Sequence, residues 1–257
     1  MAPSSPPSTA LIHPGDAGAA LMLLTRLPVP GAFASDRGAR AAWAWPLAGA
    51  LVAALAWAAG AALEALGLPP VVAAGAALAT LVVLTGGLHE DGLADCADGF
   101  WGGHTRARRM EILKDSRIGS YGVIALVLGL GMRWAAMTLL YEAYFALPAM
   151  LAAAMLSRAT MAAVMGSLPF ARQDGLAVHV GHPPIAAVAL GVAVALGGSI
   201  VALGGAGLVP ALAAGASASA VAAVARAKLG GQTGDVLGAS QQAAEIAALL
   251  AVVSLVA

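Results

Sequence analysis

Apolar residues run along this chain in blocks of roughly 18 or more, separated by shorter polar stretches. Blocks of that length cross a bilayer as helices. The pattern predicts spans at about 43–66, 70–88, 121–141, 146–166, 185–204 and 207–226. A last apolar stretch, about 243–257, reads as a short seventh span. Leu68-Pro69-Pro70 marks the turn between the first two spans, and a Gly-rich turn joins the fifth and sixth. Ahead of them, residues 17–27 are apolar but too short to span, which predicts an interfacial or re-entrant helix. The expected fold class is an all-α integral membrane protein, a polytopic bundle of about 6–7 transmembrane helices.

Composition strengthens that picture. Of 257 residues, 60% are hydrophobic and only 10% charged, against about 45–50% apolar in a soluble domain. The mean hydropathy is +0.87. A soluble, alanine-rich helical protein is the weaker alternative, because the runs are too long for it. Residues 1–16 are rich in Pro and Ser and carry no Lys or Arg. They lack the basic start of a secretory signal and are expected to be a disordered tail, with 17–257 a single membrane-embedded catalytic domain. Net charge is zero, so nothing biases the chain toward nucleic acid. Cys96 is the sole cysteine, which excludes an intrachain disulfide. Oxygen-bearing neighbours argue for a hard cation and make Cys96 a packing residue.

Charge distribution orients the bundle. With these spans, twelve of the thirteen Lys and Arg residues fall on one face, Arg37 and Arg40 among them in a polar loop that also holds Asp36, and only Arg133 lies mid-span. The positive-inside rule makes that face cytoplasmic. The polar segments 25–40, 89–120, 157–182 and 228–245 all lie there. No internal repeat of the kind transporters show is evident, so the layout suits an enzyme working at the membrane surface.

Eleven of the twenty-six charges lie between Glu90 and Arg117. Asp91, Asp95 and Asp98, spaced i, i+4, i+7, share one face of a helix. Like charges stacked this way repel, so a divalent cation is expected among them. Together with Asp115 they offer oxygen ligands suited to Mg²⁺. Arg106, Arg108, Arg109, Lys114 and Arg117 follow closely, and such side chains bind phosphate oxygens. Acids for a metal beside bases for phosphate point to phosphoryl transfer on a diphosphate. A set of acid–base pairs tying a loop together is the plainer alternative. His89 is a candidate general base, with an orienting or merely interfacial role also open. Gly231, Thr233 and Asp235 lie in a Gly-rich turn whose amides could cradle phosphates, although an ordinary loop reads equally well from this segment alone.

The ordered set of segments resembles a known family. Gly86-Gly87-Leu88-His89-Glu90-Asp91-Gly92-Leu93-Ala94-Asp95 through Asp98-Gly99, then Glu111-Ile112-Leu113-Lys114-Asp115-Ser116-Arg117-Ile118-Gly119, then Gly230-Gly231-Gln232-Thr233-Gly234-Asp235-Val236-Leu237-Gly238-Ala239 look like adenosylcobinamide-GDP ribazoletransferases, also called cobalamin-5′-phosphate synthases. Supporting matches are Thr25-Arg26-Leu27-Pro28, Trp45-Pro46-Leu47-Ala48-Gly49, Leu156-Ser157-Arg158 and Ala171-Arg172-Gln173-Asp174-Gly175. Glu90 departs from the pattern, where an apolar residue is expected.

The resemblance implies transfer of an adenosylcobinamide phosphate unit from adenosylcobinamide-GDP to the ribose 3′-hydroxyl of α-ribazole, or of its 5′-phosphate, with release of GMP. It implies Mg²⁺ as cofactor and a multi-pass protein of the bacterial inner membrane with its active site on the cytoplasmic face. In residue terms, His89, Asp91 and Asp95 are expected to be catalytic, and Asp91, Asp95, Asp98 and Asp115 to hold metal. Arg26, Arg109, Lys114, Arg117, Arg158 and Arg172 are expected to hold phosphate, and Gly231, Thr233 and Asp235 to line a nucleotide or corrinoid loop. The lipid bilayer is a partner, nucleic acid is not, and a homo-oligomer or a complex with other cobalamin-assembly enzymes is left open. Asp95-Cys96-Ala97-Asp98-Gly99 also echoes the start of the CDP-alcohol phosphotransferase motif, so a membrane enzyme acting on a lipid alcohol is an alternative. A cation-coupled transporter is a second.

Overall fold

The computed structural model describes residues 10–30 and 37–256. The first nine residues of the expected tail, and Asp36, lie outside them. Helix α1, Asp16–Leu24, is the short N-terminal helix expected from its length. Its first residue is fully buried, where Asp16 accepts from Arg37 Nε at 2.8 Å and from Trp43 Nε1 at 2.7 Å. Those bonds tie α1 to a 3-10 segment, Gly38–Ala44, that leads into α2, Trp45–Ala65.

Helix α3, Pro70–Thr85, starts with proline in its first turn, where a missing N–H costs nothing. It stops at Gly86 and Gly87, both left-handed with φ near +66° and +69°. This backbone suits glycine. The chain bends there by 86° into α4, Leu88–Gly102, which carries the acidic face. A short α5, Arg106–Ile112, and a loop lead to α6, Ser120–Glu142, and α7, Ala146–Ser167. After the one-turn α8, Leu176–Val180, come α9, Ile185–Leu203, α10, Leu208–Leu229, and α11, Gly234–Val256.

Five helical stretches among the described residues are long and apolar enough to cross a membrane, and the bent α3–α4 pair passes as a sixth. One of the five, Ile185–Leu229, has 45 residues and folds back at Gly204–Gly207, where Ser199 Oγ donates to the Gly207 carbonyl. Its two arms, α9 and α10, have 19 and 22 residues, or roughly 28 and 33 Å. Counting them separately raises five to six, or seven with the bent pair, as the hydropathy pattern predicts. The last span is longer than expected. It begins at Gly234 rather than near 243 and runs 23 residues.

Helices α7 and α11 are the innermost, and alanine is the commonest residue on the buried α7 face. Small residues let helix backbones approach closely where lipid removes the hydrophobic drive for association. Polar side chains also bind the interior. Arg133 of α6 donates to Glu90 of α4 at 2.6 Å, to Gln242 at 3.0 Å and to Glu245 at 2.7 Å, both on α11. Glu245 also accepts from Arg158 of α7 and from Gln241 at 2.6 Å. Gln242 donates to Glu90 at 3.1 Å, and Ser157 accepts from Gln241 at 3.1 Å. Two arginines face two glutamates, so the buried cluster is charge-balanced, as a low-dielectric interior requires.

Candidate functional site

The site is built where α4 crosses α11. A Cβ on Gly92 would stand 2.7 Å from the Asp235 carbonyl oxygen, and one on Gly238 would stand 3.3 Å from Gly92 and His89. Only glycine allows this backbone contact. It brings the acidic face of α4 against the first turn of α11. Asp95 lies in the combined negative field of Asp91, Asp235 and Asp98, opposed by Arg172.

A short backbone pairing supplies Arg172. Gln232 N–H donates to the Pro169 carbonyl, and Ala171 N–H to the Gln232 carbonyl, each at 2.8 Å. Gly231 packs against the same Pro169 carbonyl, too close for any side chain. Thr233 is buried and caps α11, its Oγ1 accepting from Val236 N–H at 3.3 Å. Arg172 therefore lies 3.6 Å from Asp235 and 3.5 Å from Asp174. Arg106 locks the arrangement, donating to the carbonyls of Leu229 at 2.6 Å and Ala171 at 2.9 Å.

The loop before α6 forms the opposite wall. Asp98 accepts from Gly119 N–H at 2.7 Å and from Gly122 N–H at 2.9 Å. It thus caps the N-terminus of α6 from a different helix, where a carboxylate meets unpaired amides and the positive dipole end. Asp115 pairs with Arg117, and that hydrogen bond holds its carboxyl down at about 2. Lys114 pairs with Asp174 at 2.7 Å across to the Arg172 loop and lowers that carboxyl as well. Both pairs are exposed and exchange readily with water or a ligand.

Two cavities meet at the acidic face, and another lies behind the Lys114 and Arg172 walls. An open cleft of about 660 Å³ is lined by Arg26, Asp91, Asp95, Lys114, Asp115 and Arg117. A second, of about 590 Å³, lies between Arg106, Lys114 and Arg172. A smaller one of about 130 Å³ runs inward past Asp91, His89, Arg172 and Asp235 to apolar walls. Lys114 borders the first two, Arg172 the last two, and Asp91 the first and third.

Most of the residues expected from sequence converge here, but not all. Asp91, Asp95 and Asp235 do, with Arg26, Lys114, Asp115, Arg117 and Arg172 around them. Both Asp98 oxygens are engaged by α6 amides. Arg109 donates to the Lys228 carbonyl at 3.2 Å, tying α5 to α10. Arg158 is buried against Glu245 inside the bundle, away from the open cleft. Cys96 is buried and unpaired. His89 is buried at the inner cavity, its Nε2 without a hydrogen-bond partner among the described residues. The charges of Arg158, Glu245 and Arg133 all act on it.

Among the described residues no three His, Cys, Asp or Glu side chains form a ready-made cation cage. Magnesium does not demand one. It binds through one or two carboxylates and completes its shell with water and substrate phosphate oxygens. The donor chemistry at Asp91, Asp95 and Asp235 fits that mode, because three carboxylates gather against a single guanidinium.

Sequence reading missed three contributors. Gln241, Gln242 and Glu245 lie on one side of α11 at helical spacing, but in the sequence they fall in the polar segment 228–245, at the edge of the last apolar stretch. The signal was mid-span Arg133: a buried arginine needs an acid opposite it. Trp45, at the start of α2, lines the inner cavity, and only its place in a matching motif drew notice.

Comparison with known proteins agrees with the geometry. A model of the cobalamin-5-phosphate synthase family matches residues 16–253. The adenosylcobinamide-GDP ribazoletransferase of Azorhizobium caulinodans is 47% identical over 253 residues, covering 92% of this chain and 94% of the relative. That of Bradyrhizobium diazoefficiens is 44% identical over 238 residues, 90% of each. That of Brucella canis is 40% identical over 252 residues, 93% of this chain and 96% of the relative. No solved structure matches the chain.

Proposed function

The chain belongs to the cobalamin-5-phosphate synthase family, and from that premise we propose that it is an adenosylcobinamide-GDP ribazoletransferase working at the cytoplasmic face of the bacterial inner membrane. The acceptor is α-ribazole or its 5′-phosphate. Its ribose 3′-hydroxyl attacks the phosphorus that carries adenosylcobinamide. A new P–O bond forms, the bond to the GMP oxygen breaks, and GMP leaves with the electron pair. Membership of the family sets aside the lipid-alcohol phosphotransferase and the cation-coupled transporter.

The observation that carries this reading is the gathering of Asp91, Asp95 and Asp235 between an open cleft edged by Arg26, Lys114 and Arg117 and an inner cavity edged by Arg172. Negative groups stand where a cation would bind, and cations stand where diphosphate oxygens would lie. Mg²⁺ held by Asp91 and Asp95, with Asp235 beside them, would neutralise charge on the diphosphate. Lys114 and Arg117, held by exposed acids before substrate arrives, can swing to phosphate oxygens at little cost. Arg172 orients the donor from the opposite wall. The proton of the attacking hydroxyl needs an acceptor, and His89, which lines the inner cavity beside Asp91, is the candidate base. Apart from Arg133 and Arg158, which are buried inside the bundle, the Lys and Arg residues fall on one face by the span pattern, which supports the cytoplasmic placement.

The test is turnover. Protein in liposomes, given adenosylcobinamide-GDP, α-ribazole and Mg²⁺, releases GMP and forms a cobalamin in equal amounts. Release of GMP without a cobalamin product would identify a different reaction.

A further inference from the structure

The groove between Arg106, Lys114 and Arg172 stands apart from the acidic cluster and has a chemistry of its own. It holds about 590 Å³, with Ala107, Met110 and Glu111 between those cations. None of Asp91, Asp95 and Asp235 borders it, and Glu111 is the one carboxylate on its wall. Arg108 Nη1 donates to Glu111 Oε2 at 2.9 Å, and Oε1 has no partner among the described residues. The two side chains of that pair are 64% and 65% exposed, so a ligand displaces the pair at little cost. Glu111 and Lys114 share one turn of backbone, Lys114 N–H donating to the Glu111 carbonyl at 3.1 Å, and residues three apart on such a turn are neighbours. Lys114 also edges the open cleft. A ligand with its phosphate at Lys114 therefore reaches Glu111 with the part beyond.

Resting on the transferase reading above, we propose that this groove binds the guanosine end of the nucleotide donor, with Glu111 selecting the base. Guanine carries two donors side by side, N1–H and the 2-amino group, and two acceptors, O6 and N7, on the adjoining edge. An ionised carboxylate only accepts, through two oxygens, so Glu111 matches the donor pair. Arg106 and Arg172 match O6 and N7, the edge that arginine reads in DNA. Adenine has an acceptor at N1 and no 2-amino group, so it leaves the carboxylate unpaired. The other substrate parts do not suit the groove. A corrin macrocycle exceeds it, and the base of α-ribazole, a benzimidazole, has no N–H to offer a carboxylate. Nor do the other cavities suit guanosine. The inner one, about 130 Å³, has room for little more than a single six-membered ring. In the cleft, Arg117 occupies both oxygens of Asp115.

Nucleotide binding by calorimetry on the protein in nanodiscs, with Mg²⁺ and no corrinoid, tests the assignment. Wild-type protein binds GMP about tenfold more tightly than IMP, which lacks the 2-amino group, and more tightly still than AMP. Glu111→Gln brings GMP and AMP within about threefold of each other. The same variant binds xanthosine monophosphate more tightly than wild-type protein does, because a carbonyl replaces the 2-amino group there and meets the new amide N–H. A gain of that kind cannot come from a misfolded variant. Ala107→Trp fills the groove without removing a charge, so it weakens GMP binding about tenfold while the unfolding temperature holds. Wild-type protein that binds AMP as tightly as GMP, or a preference for GMP that survives Glu111→Gln, overturns the assignment. Cobalamin formation by protein indifferent between GMP and AMP defeats this inference alone. Protein that selects GMP through Glu111 but forms no cobalamin supports the groove and defeats the transferase reading.

Discussion

Replacing Glu245 by Gln strikes the charge balance of the bundle interior. Glu245 Oε1 accepts from Arg133 at 2.7 Å, and Oε2 accepts from Arg158 and from Gln241 at 2.6 Å. All four side chains are buried. The wild-type cluster holds two arginines and two glutamates; the variant holds two arginines against Glu90 alone, a net charge of +1 where water cannot screen it. Removing one partner of a buried pair costs about 3–5 kcal/mol, and about 1.4 kcal/mol is a factor of ten in an equilibrium constant. Hydrogen bonds between membrane helices average nearer 0.6 kcal/mol, so the greater part of the loss comes from the stranded charge. The assay is reversible unfolding in mixed micelles, followed by tryptophan fluorescence, for E245Q, R158Q and the double variant. E245Q alone loses about 3 kcal/mol or more. The double variant, again neutral, recovers at least 2 kcal/mol relative to the sum of the singles. An E245Q loss below about 1 kcal/mol, or additive singles, would refute the charge-balance argument.

Asp95→Asn removes a negative charge from the field of Asp91, Asp235 and Asp98, so it leaves unfolding stability equal or higher while turnover falls at least a hundredfold. Asp98→Asn sets an amide donor against one of the Gly119 and Gly122 N–H groups, so it loses about 1–2 kcal/mol in the same unfolding assay. Equal stability losses for both variants would contradict the division of labour. Gly92→Val drives a side chain into the Asp235 carbonyl and parts α4 from α11; turnover falls more than a hundredfold, whereas Gly102→Ala, with room at its Cβ, costs less than twofold. The Asp115 carboxyl is held down at about 2 by Arg117, below the ordinary value of about 3.9. Its contribution is complete above the ordinary value and is lost only as pH falls through about 2. The pH–rate profile of Asp115→Asn between pH 5 and 9 therefore keeps the shape of the wild-type profile.

The residues legible in the sequence were those whose chemistry repeats at short range. The i, i+4, i+7 spacing of Asp91, Asp95 and Asp98 places them on one helical face whatever the rest of the chain does, and α4 bears that out. Its consequences for each carboxylate were not legible, because Asp98 is turned to α6 by two glycines more than twenty residues away. The hydropathy runs located the spans, since bilayer thickness sets their length. They misplaced the start of the last one, because Ser240, Gln241, Gln242 and Glu245 look like loop residues until Arg133 and Arg158 are seen to face them. Arg158 was assigned to phosphate on the strength of a motif, and its partner is an acid on a helix 87 residues away in sequence. The convergence of Asp235 and Arg172 on the acidic face depends on a backbone contact at Gly92 and a two-bond loop pairing, which carry no local signature.

Group transfer at the Asp91, Asp95 and Asp235 cluster is the activity to be tested first. The deciding measurement is GMP release from adenosylcobinamide-GDP by protein in liposomes, with α-ribazole and Mg²⁺ each present or omitted. Release that requires all three components, matches cobalamin formed one for one, and vanishes in Asp91→Asn and Asp95→Asn proteins is the predicted result. Near-normal release by both variants, or release indifferent to α-ribazole, would contradict it.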